Sequence, residues 1–224
     1  MRQPVSTPVF ENPSRDCPLC PRLNAFIAEN RAAHPDWWNA PVPSFGPLDA
    51  PILILGLAPG LQGANRTGRP FTGDWAGDLL YKVLVEEGLA EGVYDRRPDD
   101  GLRLTGCRIA NAVRCVPPQN KPIGQEMNAC RPFLVDEIAA MTNLKTVFTL
   151  GRIAHEAILR VLGQRPAGYK FAHEAVHRVE DKTSREIFVV NSYHCSRYNT
   201  NTGRLTEDMF RQAVRAAIKA AGSA

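Results

Sequence analysis

Thiols in a ligand-like spacing, and three polar groups set in turn-rich segments, are where this chain could do chemistry. Cys17 and Cys20 form a Cys-x-x-Cys pair, and Cys115 and Cys130 lie far downstream. Two thiolates at that close spacing chelate a metal, and two distant ones complete a tetrahedral set once the chain folds. Zinc and an iron–sulfur cluster suit the same four ligands, and buried reduced thiols are the remaining alternative. Cys107 falls in an apolar stretch and reads as a core thiol, whereas Cys195 sits in a polar loop with no visible partner. The other reactive groups are a carboxylate, an amide and an imidazole. Asp74 closes Phe71-Thr-Gly-Asp74, Asn111 precedes a run ending in Pro117-Pro118, and His194 is followed by Ser196, Arg197 and Asn199.

Positioning these groups requires a sheet. Residues 51–55, 107–113, 145–150 and 186–190 are short runs rich in β-favouring residues, as buried parallel strands require. Between and after them, residues 76–87, 124–141, 153–162 and 205–221 have helical character, the last with Leu205, Met209, Ala213, Val214 and Ile218 near a 3.6-residue period. The expected fold is α/β, a three-layer α/β/α arrangement around a central four-stranded parallel sheet, because parallel strands need crossover helices. Gly56-Leu-Ala-Pro-Gly60, Arg114-Cys-Val-Pro-Pro118 and Ser192-Tyr-His-Cys-Ser-Arg197 follow three of the strands. Loops at the carboxyl ends of parallel strands converge on a ligand crevice, so these three are expected to meet. Residues 91–103 read as a surface loop, and the first 45 residues, rich in Pro and Asn, as a wrap without regular structure.

At 224 residues, with 44% hydrophobic and 22% charged side chains, residues 1–224 read as one domain with one sizeable core. A net charge of +4, from 27 basic against 23 acidic residues, permits a polyanionic partner without requiring one. No run approaches the roughly 20 apolar residues of a membrane span, and Pro and charges stand where a signal peptide is apolar. A cytoplasmic location is therefore expected, where thiols stay reduced and serve as ligands or core groups.

Several segments together resemble one family. Gly56-Leu-Ala-Pro-Gly60, Gly63-Ala-Asn-Arg-Thr-Gly-Arg-Pro-Phe-Thr-Gly-Asp74, Asn111-Ala-Val-Arg-Cys-Val-Pro-Pro118 and His194-Cys-Ser-Arg-Tyr-Asn199 are similar to the family 5 (type B) uracil-DNA glycosylases, the iron–sulfur branch. The similarity runs in order from Cys17 to about Asn199. It implies a structural [4Fe-4S] cluster on Cys17, Cys20, Cys115 and Cys130, which favours iron–sulfur over zinc.

The resemblance also implies DNA as the partner and hydrolysis of the N-glycosidic bond of uracil. The apolar first motif would admit larger rings, so hypoxanthine and other deaminated bases are expected as further substrates, and the enzyme is expected to act as a monomer. Phe71 would stack on a flipped base, Asn111 would read its edge, and His194 would hydrogen-bond the departing ring. Gly56, Ala58 and Gly60 would line the base site. Many superfamily members carry a polar side chain where Ala58 stands, so Asp74 is the candidate to stabilise the cationic sugar or orient water, and also to cap the following helix. Ser196, Arg197, Asn199 and Arg66 would meet DNA. Cys195 replaces the family's usual Pro, which would give either a looser loop or a different way of entering DNA. No motif lysine offers a Schiff base, so no strand cleavage is expected. His34, His155, His173 and His177 match no motif. The rival function is an iron–sulfur module that binds damaged DNA without cutting.

Overall fold

The computed structural model describes residues 10–222. In chain order its elements begin with helix α1 (Pro21–Ala33), strand β1 (Ile52–Gly56), and helices α2 (Ala64–Thr67) and α3 (Trp75–Glu86). Strands β2 (Ala90–Glu91), β3 (Arg103–Leu104) and β4 (Cys107–Asn111) follow, then α4 (Gly124–Ala140), β5 (Thr146–Leu150) and α5 (Arg152–Val161). The chain ends with β6 (Val176–Glu180), β7 (Glu186–Ser192), α6 (Arg197–Asn201) and α7 (Glu207–Gly222).

All four expected strands form, in the order β4-β1-β5-β7, and every pairing among them is parallel. Their side chains alternate between two apolar layers. Ile52, Ile54, Ile109, Phe148 and Val190 face α3 and α7, while Leu53, Leu55, Ala110, Val147 and Val189 face α4 and α5. Burial on both faces is why these strands read as continuous apolar runs.

The sheet has five strands rather than four. β6 pairs antiparallel to β7 at the edge, a mixed arrangement common in doubly wound sheets. Only Val179 of its Val176-His-Arg-Val-Glu180 run is buried. An edge strand exposed on one side needs no apolar run, so nothing in this stretch announced it. Residues 91–103 do form a surface excursion, but β2 and β3 pair antiparallel and close its two ends.

The N-terminal wrap is corrected in the same way. Of the first 45 residues, 1–9 lie outside the described ones, and the remainder contains α1. Pro21 opens it where a missing N–H is harmless, and only Leu23, Ile27 and Asn30 are buried, at helical spacing. Leu23 and Ile27 pack on Val113, Val116, Cys115 and Cys130, and this tertiary contact stabilises a helix with little amphipathic signal.

A buried ionic knot joins these layers. Glu137 of α4 is fully buried and accepts from Arg108 of β4 at 2.6 Å and from Arg114 beyond it. The guanidiniums also reach back, Arg108 to the Gly46 carbonyl and Arg114 to the Ser44 hydroxyl. Burial alone would raise the Glu137 carboxyl, and the two arginines hold it below its ordinary range instead. Removing one member of such a group strands the others without water. Glu137→Ala is expected to lose about 3–5 kcal/mol of stability in urea unfolding. A loss below about 1 kcal/mol would show that the knot does not matter.

Candidate active site and cysteine cavity

The three loops do meet. A cavity of about 410 Å³ at the carboxyl ends of the strands is lined by Ala58, Gly60, Phe71, Asp74, Asn111, His194, Ser196 and Arg197 among others. That volume falls in the usual range for small-ligand sites. Its floor follows from strand register. Gly56 pairs with Asn111 across β1 and β4, and a Cβ on Gly56 would lie 2.4 Å from Asn111 Oδ1 and 2.7 Å from Phe71 Cζ. Glycine here is therefore what lets the amide and the ring share the floor. Asn111 is 3% exposed, and its Oδ1 is buried without a hydrogen-bond partner among the described residues. An orphaned buried acceptor costs free energy unless a ligand donor satisfies it.

Phe71 adopts φ +52°, the left-handed region that an aromatic residue seldom occupies. What holds it there was not visible as chemistry in the sequence. The Tyr94 hydroxyl donates to the Phe71 carbonyl, and the Gly73 N–H donates to that same hydroxyl, both at 3.2 Å. Arg69 makes a bidentate pair with Asp100 at 2.8 and 2.7 Å, and its guanidinium lies over the rings of Phe45, Tyr81 and Tyr94. The segment read as a plain surface loop thus supplies Tyr94 and Asp100 to brace the aromatic wall. Gly77 completes the brace, because a Cβ there would stand 1.8 Å from the Phe71 carbonyl oxygen.

Asp74 does cap α3, accepting from the Gly77 N–H at 3.3 Å, and it also lines the cavity. Its other oxygen sits where a side chain on Gly63 would be, 2.3 Å from that imagined Cβ. Gly63 is thus a further site residue, marked in the sequence only by its place in the motif. Burial pushes the Asp74 carboxyl above its ordinary range, against the backbone N–H groups of Gly77 and Ala76 that lower it.

His194 faces Phe71 across the cavity, ring centroids 6.0 Å apart and tilted by 33°. Its loop is held from within: Asn199 Nδ2 donates to the His194 carbonyl at 2.8 Å, and Ser196 caps α6 by accepting from the Asn199 N–H. Of the residues expected to meet DNA, Ser196 and Asn199 therefore already have structural work. Arg197 lies 5.5 Å over the Trp75 ring at the cavity's edge, a neighbour not expected from the sequence. Arg66 does not line this cavity; it is exposed on α2 and faces another groove. Cys195 is corrected as well. It is fully buried in the layer formed with α3 and α7, so it packs its loop onto the core rather than loosening it.

Cys17, Cys20, Cys115 and Cys130 line a second, small cavity with Leu23, Val113 and Phe133. The Arg114 N–H donates to Cys130 Sγ at 3.4 Å. Among the described residues no three or more His, Cys, Asp or Glu side chains form a group that could hold a metal ion. Burial, with the neighbouring thiols adding to it, pushes Cys20 up to about 11 and Cys115 up to about 12.

Burial also drives the His194 imidazole down to about 4 from an ordinary 6.5. The ring is then neutral at physiological pH and can donate a hydrogen bond from one nitrogen. Between pH 6.5 and 4 the unfolded chain binds a proton at this residue that the folded chain does not, so its contribution to stability falls as the solution is acidified. NMR titration of His194 is expected to show a midpoint near 4. A midpoint near 6.5 would place the ring in water.

A family model described as the Uracil DNA glycosylase superfamily matches residues 43–218. A type-5 uracil-DNA glycosylase of Thermus thermophilus is 43% identical over 92% of this chain and 94% of its own length. One from Pyrobaculum aerophilum is 36% identical over 95% and 92%. A type-4 uracil-DNA glycosylase of Sulfurisphaera tokodaii is more distant, at 31% identity over 79% and 74%. With most of the chain matched and a motif-lined cavity at the sheet's carboxyl edge, the protein belongs to the uracil DNA glycosylase superfamily, on the type-5 branch.

Proposed function

We propose that the protein hydrolyses the N-glycosidic bond of uracil in DNA, releasing the base without cutting the strand. The observation that carries this reading is the convergence of Asp74, Asn111 and His194 on one cavity beside Phe71. Uracil offers an N3–H donor beside a carbonyl acceptor. The Asn111 amide is complementary to that pair, and its unpartnered Oδ1 is the acceptor the N3–H needs. Phe71 supplies a face for the extruded ring, which must leave the base stack before any chemistry.

As the C1′–N1 bond breaks, its electron pair stays on the base and the sugar becomes cationic. Neutral His194 donates a hydrogen bond to the carbonyl oxygen where negative charge collects. The Asp74 carboxylate stabilises the cation and takes a proton from the attacking water, whose oxygen bonds to C1′. Nothing polar at Ala58 assists, which places that task on Asp74. The apolar Ala58 wall in a cavity of about 410 Å³ also favours the wider range, with hypoxanthine and other larger deaminated bases accepted. A module that binds damage without hydrolysis is disfavoured by a carboxylate and an imidazole lining the same cavity.

We read the four cysteines as holding a [4Fe-4S] cluster. The four thiols line one cavity, and four cysteine thiolates are the donor set such a cluster would take. Cys17 and Cys20 precede α1, Cys115 lies beyond β4 and Cys130 lies in α4. A cluster there would crosslink three parts of the chain. We further read residues 1–224 as one domain acting as a monomer, in the cytoplasm, where six free cysteines would stay reduced. Among the described residues no helix is long and apolar enough to cross a membrane.

Incubation with a uracil-containing oligonucleotide followed by alkali should break the strand at the lesion. Asp74→Ala and His194→Ala are each expected to slow release by about 100-fold or more. Full-rate release in both variants would remove their assigned roles, and no release by the wild type would remove the function. Protein purified without oxygen should carry about four irons and matching sulfide per chain. Cys130→Ser should lose the iron and lower the melting temperature; one zinc and no sulfide in the wild type would overturn the cluster.

A further inference from the structure

Arg66 leads to a second surface. On the side of α2 away from the base cavity, a groove of about 520 Å³ is lined by Arg15, Arg66, Arg96, Arg97, Trp37 and Trp38. The two sites share a wall: Ala64 lines the base cavity, and Arg66 and Thr67 line the groove. Arg66 also reaches the Gly73 carbonyl at 3.4 Å, one residue before Asp74.

The aromatic groups are fixed before any ligand arrives. Trp37 stacks on His34 with ring centroids 3.9 Å apart and planes 9° apart. Trp38 donates from Nε1 to the Pro41 carbonyl, and its ring lies so close to Gly68 that a Cβ there would be 2.7 Å away. Trp38 nonetheless remains 39% exposed. The arginines are exposed too. Arg96 pairs with Asp78 and Arg97 with Asp99, and the guanidiniums of both pairs are more than half exposed. Exposed pairs of this kind are worth about 0–1 kcal/mol, so a phosphate can compete for them. The Arg15 side chain has no hydrogen bond or ion pair among the described residues. Asp36 is the groove's own opposing charge.

Fixed aromatic faces among exposed cations match a strand with unpaired bases, since stacking needs a free base face and arginines follow the phosphates. A duplex keeps its base faces covered. Building on the reading of the base cavity, we propose that this groove holds a single-stranded flank of the nucleotide seated there. Trp37 and Trp38 stack on its bases and the four arginines contact its backbone.

The test uses labelled all-thymine DNA without uracil, so it does not depend on base excision. Anisotropy would compare a strand of about ten nucleotides, a trimer, and the long strand annealed to its complement. The wild type should favour the long single strand over both. Trp38→Ala should cut the long-to-trimer affinity ratio about tenfold. An Arg15→Ala/Arg97→Ala double variant, altered only at exposed positions, should shallow the salt dependence by about 1.4 in log–log slope. The proposal falls if both variants keep the wild-type ratio and slope, or if duplex binding weakens as much as single-strand binding. Failure of uracil release with these binding changes intact would overturn the base-cavity reading alone.

Discussion

Gly56 and Asn111 stand opposite each other at the ends of two adjacent parallel strands, and the cavity exists because nothing projects from Gly56. Parallel pairing brings the exits of β1 and β4 to one edge of the sheet, where the Ala112 and Val113 N–H groups bond the Gly56 and Leu57 carbonyls. The absent side chain is filled from two directions, by an amide from β4 and a ring from the segment after α2. Gly63 repeats the device for the carboxylate, and Gly77 for the backbone beneath Phe71. Three glycines thus let the exit of β1, the end of β4 and the segment carrying Phe71 and Asp74 close to within contact distance, which any Cβ would forbid.

Around that constraint the protein uses buried polar groups as braces. Arg69 with Asp100 ties one loop to another, and Glu137 with Arg108 and Arg114 ties α4 to β4 and the loop beyond it, through pairs shielded from water. Such pairs add little net stability over apolar packing, but breaking one is costly, and that asymmetry keeps each loop in one arrangement. The brace on Phe71 matters most, since a left-handed aromatic residue persists only where its surroundings over-determine it. The same dryness sets the site's chemistry. It keeps His194 neutral and raises the Asp74 carboxyl above its ordinary range, the two groups to which donor and sugar-stabilising roles are proposed.

Local signals were legible wherever a residue's neighbours in the chain are also its environment. The parallel strands announced themselves because both of their faces are buried. β6 and α1 did not, because one buried valine at an edge, or a short stripe docked on the cysteine-bearing loop, gives no periodic signal. Cys195 looked polar from its flanking residues and is buried by α3 and α7, which are remote in sequence. Ser196 and Asn199 looked free for DNA and are used within their own loop.

By itself the amino-acid sequence determined the three-layer architecture, the loops that converge, and the carboxylate, amide, imidazole and thiols that they carry, since strand patterning and motif spacing are properties of the chain. Tertiary structure alone decided which polar groups lose water and which keep it. It left Asn111 Oδ1 unpartnered, set Arg66 on the far side of α2, and brought Tyr94 and Asp100 beneath Phe71. Desolvation and close approach depend on atoms brought together from distant positions, and no local stretch of residues encodes them.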